Sequence, residues 1–134
     1  MSGVACLETT FMVDLLRRDP GAISKLKDLE DAGERLATTQ LNLVELYIGA
    51  YRSSDPQAKV GELGELLEGL DVLEFGREEC AVCGRIMAGL LSRGESIGTV
   101  DVIAGCIALA HGETVITRNV EHYRRIPGLS VESY

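Results

Sequence analysis

Short runs of consecutive apolar residues alternate along this chain with stretches in which apolar positions recur every three or four residues. The run VACLE (4–8) reads as a buried strand, and TTFMVDLLRR (9–18) as a helix capped by Thr9 or Thr10 and stopped before Pro20. A more polar helical stretch occupies 21–32. RLATT (35–39) reads as a second strand and QLNLVELYIGAYRS (40–53) as a helix, while Asp55-Pro56 opens a further helix through about Leu70. DVLEF (71–75) reads as a third strand, followed by a long helix over 77–93 that Gly94 terminates. A helix from Thr99, the strand TVIT (114–117), a short helix near 120–124 and a last strand around LSVES complete the pattern. No repeat, low-complexity tract or linker interrupts it, so residues 1–134 are expected to form one domain. Strands separated by helices predict an α/β fold, a parallel sheet covered on both faces.

Composition narrows the function classes. No stretch is long and apolar enough to span a bilayer. The opening MSGVACLETTF lacks the basic segment and long apolar run of a secretory signal, which predicts a cytoplasmic protein. The net charge of −8 gives the chain a field that does not attract nucleic acid. That excludes a simple RNA-coating module, though not an enzyme whose acids hold cations. Cys6, Cys80, Cys83 and Cys106 lack the spacing of a disulfide framework. The C-x-x-C of Cys80 and Cys83 lies inside the helical REECAVCGRIMAGLLSRG, with no second ligand pair for zinc and no preceding strand for a redox motif. Core packing or a chance occurrence is the expected explanation.

In an open α/β sheet, ligands gather beyond the carboxyl ends of the strands. VACL runs into Glu8 and TVIT into Arg118-Asn119, each followed at once by a helix start. Capping explains either one alone: Asn119 is an N-cap residue type, and an acid at a helix start gains from the macrodipole. In LNLVELYIGAYR, Asn42, Glu45, Gly49 and Arg52 form a narrow stripe between apolar flanks. That stripe is either a solvated face or the seat of a carboxylate that, once buried, needs a cation or a donor. Asp101 heads VDVIAGCIALA, which is apolar on every side, and Thr99 can cap that helix without it. A capping bonus therefore explains Asp101 poorly. A bound divalent cation explains it better, since Glu8, Glu45, Asp101 and the amide oxygen of Asn119 together offer hard oxygen ligands for magnesium or manganese.

The runs LETTFMVDLLRRDP, LNLVELYIGA and IGTVDVIAGCIALAHGETVITRNVEHYRRIPGLSVESY, in this order and spacing, resemble the PIN-domain family, specifically the VapC-type toxin ribonucleases of type II toxin-antitoxin pairs. The resemblance covers nearly the whole chain and is most specific over 97–132. It implies a three-layer domain with a central parallel five-stranded sheet, a homodimer, and three or four acids holding one or two Mg2+ or Mn2+ ions. Residue by residue, it assigns the metal-holding and catalytic positions to Glu8, Glu45, Asp101 and Asn119, and supporting hydroxyls to Thr10 and Thr117. Two positions depart from the family pattern: Glu8 stands where aspartate is nearly the rule, and Asn119 carries no charge.

The implied activity is metal-assisted hydrolysis of RNA phosphodiester bonds, leaving a 5′-phosphate and a 3′-hydroxyl. Arg17, Arg18, Arg118, His122, Arg124 and Arg125 are the local groups expected to meet the RNA backbone, with His122 more structural than a general base. The implied partner is a VapB-type antitoxin, a small DNA-binding protein whose tail covers a groove on the toxin. An acidic chain suits a basic tail, and Phe11, Met12, Leu15 and Leu16 are candidates for that groove as well as for the core. Glu8 and Asn119 also motivate an alternative, a PIN fold that no longer cuts and serves as a dimerisation or antitoxin-binding module. A thiol-redox role through Cys80 and Cys83 is the third class.

Overall fold

Five short strands form one all-parallel sheet in the order β3-β2-β1-β4-β5. The computed structural model describes residues 3–95 and 98–134, with the side chain of Thr99 excepted. In chain order the elements are β1 (Val4–Leu7), α1 (Thr9–Leu16), α2 (Pro20–Asp31), β2 (Arg35–Thr38), α3 (Gln40–Tyr51) and α4 (Pro56–Leu67). Then come β3 (Asp71–Val72), α5 (Arg77–Ser92), α6 (Thr99–Ala110), β4 (Thr114–Ile116), α7 (Val120–Tyr123) and β5 (Ser130–Glu132). The alternation expected from the sequence is present throughout.

The strands read as unbroken apolar runs because both faces of the sheet are covered. With side chains alternating along each strand, Cys6, Ala37 and Val115 enter a core shared with α5, α6 and α7. Ala5, Leu7 and Ile116 point the other way, into a core shared with α1, α2, α3 and α4. β1 lies between β2 and β4, so the chain first builds outward on one side of β1 and later returns to the other. Its junction with β4 is the topological switch point, where the carboxyl ends of the strands leave a crevice. α3 leaves from the carboxyl end of β2, and α6 leads back to the amino end of β4. The first turns of both helices therefore sit at the same edge of the sheet, where α3 packs against α6.

Local details differ from the sequence expectation. The third strand is Asp71–Val72 rather than the whole of DVLEF, because its neighbour β2 ends at Thr38; Leu73 N still donates to Thr38 O at 2.9 Å, and then no strand remains to pair with. α1 is capped by Glu8, whose side chain accepts from Thr10 N, and not by Thr9 or Thr10. It ends at Leu16. Arg18 then turns the chain at φ 59, with Arg18 N bonded to Leu15 O and Asp19 N to Asp14 O, a helix ending that usually takes glycine. Gly98 holds the cap position of α6, and the expected capping side chain of Thr99 lies outside the described residues. Cys80 and Cys83 lie on α5 as expected, one exposed and one buried, and all four cysteines are free thiols. Burial pushes the Cys6 and Cys106 thiols up to about 12, which leaves them unreactive at neutral pH.

Gly105 of α6 admits the segment after α7: a Cβ there would stand 2.3 Å from Ile126 Cδ1 and 3.3 Å from Tyr123 Cδ1. Both neighbours are 1% exposed, so any shift of Ile126 has to be taken up inside the core. Gly105→Ala is expected to lower stability by about 1–2 kcal/mol in urea unfolding, overpacking outweighing the helix-propensity gain. Gly84→Ala on the exposed side of α5, where a Cβ meets nothing within 4 Å, should instead be neutral or stabilising.

Candidate active site

Glu8 follows β1 directly and its backbone still runs beside β4, with Glu8 N bonded to Ile116 O at 3.1 Å. Its side chain is 4% exposed. Oε1 accepts from Thr10 Oγ1 at 2.6 Å, Thr117 Oγ1 at 2.6 Å and Thr10 N at 3.1 Å. Both threonine hydroxyls thus spend their single hydrogen on the carboxylate, and both accept from the β4–α7 loop: Thr10 Oγ1 from Arg118 N at 3.0 Å and Thr117 Oγ1 from Asn119 N at 2.9 Å.

Glu45 sits half-buried on α3, where Thr9 Oγ1 donates to its Oε1 at 2.8 Å while lying 3.1 Å from Asn42 Oδ1. Burial raises the pKa of Glu45; the Thr9 bond opposes this, and the charges of Asp101 and Glu8 add to the rise. Asp101 occupies the first turn of α6. Its Oδ1 accepts from the Tyr123 hydroxyl at 3.3 Å, and its Oδ2 lies 2.8 Å from His122 Nε2. Tyr123 is 1% exposed. Burial drives its phenol far up, and the fields of Glu8, Asp101 and Glu45 drive it further, so all three acids are felt at one hydroxyl.

Asn119 is the N-cap residue of α7, but its side chain makes no capping bond. With Asp101, Arg118, His122 and Arg125 it lines an open trough of about 590 Å³. Arg124 is not among the lining residues and pairs with Glu121 at 3.0 Å on the exposed side of α7. Arg17 lines a separate groove that reaches Glu45, and Arg18 lies beyond it beside Glu62 and Glu65. Of the proposed RNA-facing arginines, Arg118 and Arg125 thus stand at the Asp101 trough, and Arg17 lines the separate groove that includes Glu45.

From the sequence, Thr9 is expected only as a cap of α1 and Tyr123 has no role, yet Thr9 bonds Glu45 and Tyr123 bonds Asp101. Asp14 is 6% exposed, bonded by the Tyr134 hydroxyl and 3.4 Å from Arg118 Nη1.

Carboxylate and amide oxygens converging on one crevice are the donor chemistry of magnesium or manganese. Among the described residues, no three His, Cys, Asp or Glu side chains are gathered tightly enough to hold an ion by themselves. Magnesium characteristically keeps several waters and takes one or two carboxylates, so the donor set fits an ion held partly through water.

Comparison with known proteins gives a consistent family. The PIN-domain family model matches residues 5–129. The tRNA(fMet)-specific endonuclease VapC of Salmonella typhimurium is 26% identical over 128 residues, covering 96% of each chain. Ribonuclease VapC1 of Rickettsia felis is 35% identical over 92 residues, covering 66% of this chain and 69% of that protein. Among solved structures, a chain of VapBC2 from Rickettsia felis bound to a DNA fragment from its promoter superposes with a TM-score of 0.89 at 24% identity, covering 98% of both chains. A chain of DNA-bound VapBC from Salmonella typhimurium superposes with a TM-score of 0.87 at 26% identity, covering 99% of this chain and 98% of that one.

The hydroxyl pair around Glu8 generates a stability prediction. Thr117→Val keeps the shape, removes one donor to a buried carboxylate and strands Asn119 N. It should cost about 1–3 kcal/mol in chemical unfolding, whereas Thr117→Ser should restore most of the loss.

Proposed function

Because the chain belongs to the PIN-domain family, in its VapC branch, we propose that it is a metal-dependent endoribonuclease toxin neutralised by a VapB-type antitoxin. One arrangement supports the catalytic reading: Glu8 at the end of β1, Glu45 on α3 and Asp101 in the first turn of α6 are each held by hydroxyl donors, and α3 packs against α6 at the carboxyl edge of the sheet. A buried concentration of like charge is costly unless a cation relieves it.

In this reading Glu8, Glu45, Asp101 and the amide oxygen of Asn119 hold Mg2+ or Mn2+. The ion, when bound, makes water a stronger nucleophile at neutral pH and offsets charge on the phosphate oxygens. The chain's own residues set the geometry: Thr10 and Thr117 orient Glu8, Thr9 orients Glu45, and Tyr123 and His122 orient Asp101. Arg118 and Arg125 at the trough meet RNA phosphates, which positions the strand without reading its bases. In-line attack of water on phosphorus breaks the bond to the 3′-oxygen and leaves a 3′-hydroxyl and a 5′-phosphate. The net charge of −8 makes these local arginines matter, since the protein as a whole does not attract RNA. In this reading the protein acts where its RNA substrate and antitoxin are, in the cytoplasm. Separately, no described helix is long and apolar enough to cross a membrane.

The antitoxin reading has its own surface. Phe11, Met12 and Leu15 do not supply the groove, because all three are buried in the core. A groove of about 250 Å³ between α1, α3 and α4 is instead floored by Val13, Leu16, Leu46, Ala50 and Leu63, with Arg17 and Glu45 beside them. An apolar floor ending at an acid suits an apolar segment that carries a basic side chain. The homodimer implied by the family resemblance is supported by another face of α3, where Val44, Ile48 and Tyr51 are exposed by 57%, 52% and 64%.

A second reading, a PIN fold that binds but no longer cuts, is favoured by the saturation of Glu8 Oε1 with three donors. Manganese titration with RNA cleavage separates the two. The enzyme reading expects Mn2+ to raise the melting temperature of the wild type by mass action. Asp101→Asn should then lose that shift and lose cleavage by more than the roughly 10–100-fold typical of an outer-sphere ligand partner, with a metal-free melting temperature equal or higher. Cleavage by Asp101→Asn at the wild-type rate would remove Asp101 from the site. A wild type showing neither shift nor cleavage establishes the non-cutting module.

Gly49 faces the antitoxin groove, and a Cβ there meets nothing within 4 Å. Gly49→Phe should fold normally and still cleave RNA, while binding of the cognate antitoxin, read by calorimetry, weakens at least about tenfold through loss of buried contact. Unchanged antitoxin affinity would move the partner to another face.

A further inference from the structure

Asp14 is a buried acid that the catalytic reading does not use. Its side chain is 9% exposed, yet it lies outside the Glu8, Glu45 and Asp101 group. A carboxylate so placed needs donors. Two meet its Oδ2: the Tyr134 hydroxyl, and Arg118 Nη1 at 3.4 Å. Tyr134, beyond β5, is itself wedged by its ring, which meets the buried Phe11 ring edge-on with centroids 4.7 Å apart. Its hydroxyl also lies 3.4 Å from Thr10 O.

Arg118 is consequently tethered at both ends. Its backbone N–H binds Thr10 Oγ1, the hydroxyl that donates to Glu8, and its guanidinium rests against Asp14. The side chain remains 56% exposed and lines the trough shared with Asp101 and Asn119. A guanidinium carries a rigid fork of five donors, so the single contact with Asp14 leaves most of them uncommitted by that pair. Most exposed ion pairs hold nothing in place. This one differs because the carboxylate is buried and is pinned from its other side by a wedged tyrosine.

We infer that Asp14 and Tyr134 are positioning residues that aim the Arg118 guanidinium across the mouth of the acidic site, where it takes a phosphate of the RNA strand; the substrate half of this inference rests on the ribonuclease reading. A long side chain held before the substrate arrives loses less freedom on binding. The contribution therefore appears in substrate affinity and not in the chemical step.

Tyr134→Phe keeps the ring against Phe11 and deletes only the hydroxyl, and Asp14→Asn deletes the charge. Cleavage of a labelled, unstructured mixed-sequence RNA oligonucleotide in Mn2+ is followed for each variant, for Arg118→Ala and for the Tyr134→Phe/Arg118→Ala double variant, with unfolding measured alongside. Tyr134→Phe is expected to raise KM about three- to tenfold, the ordering cost of one side chain, with kcat unchanged. In the Arg118→Ala background the same change should add nothing. Independently of RNA, the Nε–H resonance of Arg118 in the metal-free protein should be restricted in the wild type and averaged in both Tyr134→Phe and Asp14→Asn. An Arg118 resonance unaltered in the variants overturns the positioning role. Loosened Arg118 with unchanged KM, or a full KM effect in the Arg118→Ala background, overturns the link to substrate. A wild type that neither binds nor cuts the oligonucleotide overturns the ribonuclease reading and the substrate half with it, while the resonance still decides whether Asp14 and Tyr134 hold Arg118.

Discussion

Glu8 is a carboxylate at 4% exposure, and the cost of keeping a charge there organises everything around it. Its donors are drawn from both strands at the switch point. Thr10, on the helix that follows β1, and Thr117, at the end of β4, each give it a hydroxyl hydrogen. The same acid caps α1 through Thr10 N. The hydroxyl oxygens then take the amide hydrogens of Arg118 and Asn119, so the loop bearing the site's other polar groups is tied to Glu8 at one remove. Removing any part of this arrangement leaves a buried polar group without a partner, which is why one carboxylate can fix the course of two chain segments.

From this anchor the crevice acquires its charge by topology. A parallel sheet with helices on both faces sends the first turn of every helix that follows a strand to one edge. α6, which leads back to β4, begins at that same edge. Glu45 arrives from the face packed by α1–α4, and Asp101 from the face packed by α5 and α6, and both helices meet where the sheet ends. Each acid is held by its own donor, Thr9 for Glu45 and Tyr123 with His122 for Asp101. Burial is the main cause of the raised pKa of Glu45 and of the strongly raised phenol of Tyr123, and the neighbouring carboxylate charges add to both.

Around the acids, the cationic groups are sorted by backbone geometry. α7 is four residues long, so one turn of helix decides that Arg125 reaches the trough while Arg124 pairs outward with Glu121. Arg18 sits in a left-handed conformation that closes α1, and this turns it away from the groove that Arg17 shares with Glu45.

The chain's own pattern determined the α/β class and the placement of the five strands and seven helices of the described residues to within a few positions, and it put Glu8 and Asn119 just past strand ends. These follow from local periodicity and from the rule that strand ends and helix starts coincide in such folds, both of which a linear sequence carries. The grouping of Glu45 and Asp101 with Glu8 and Asn119 was implied by the family resemblance. Tertiary structure alone decided that Glu8 rather than a threonine caps α1, that the third strand stops at Val72, that the Tyr123 hydroxyl bonds Asp101, and that Phe11, Met12 and Leu15 are core. It alone joined Asp14 to Tyr134 and Thr10 to Thr117. Those contacts link residues more than a hundred positions apart. Their formation depends on which side chains the folded sheet brings within hydrogen-bond reach, a property of the packed layers that no local stretch of sequence encodes.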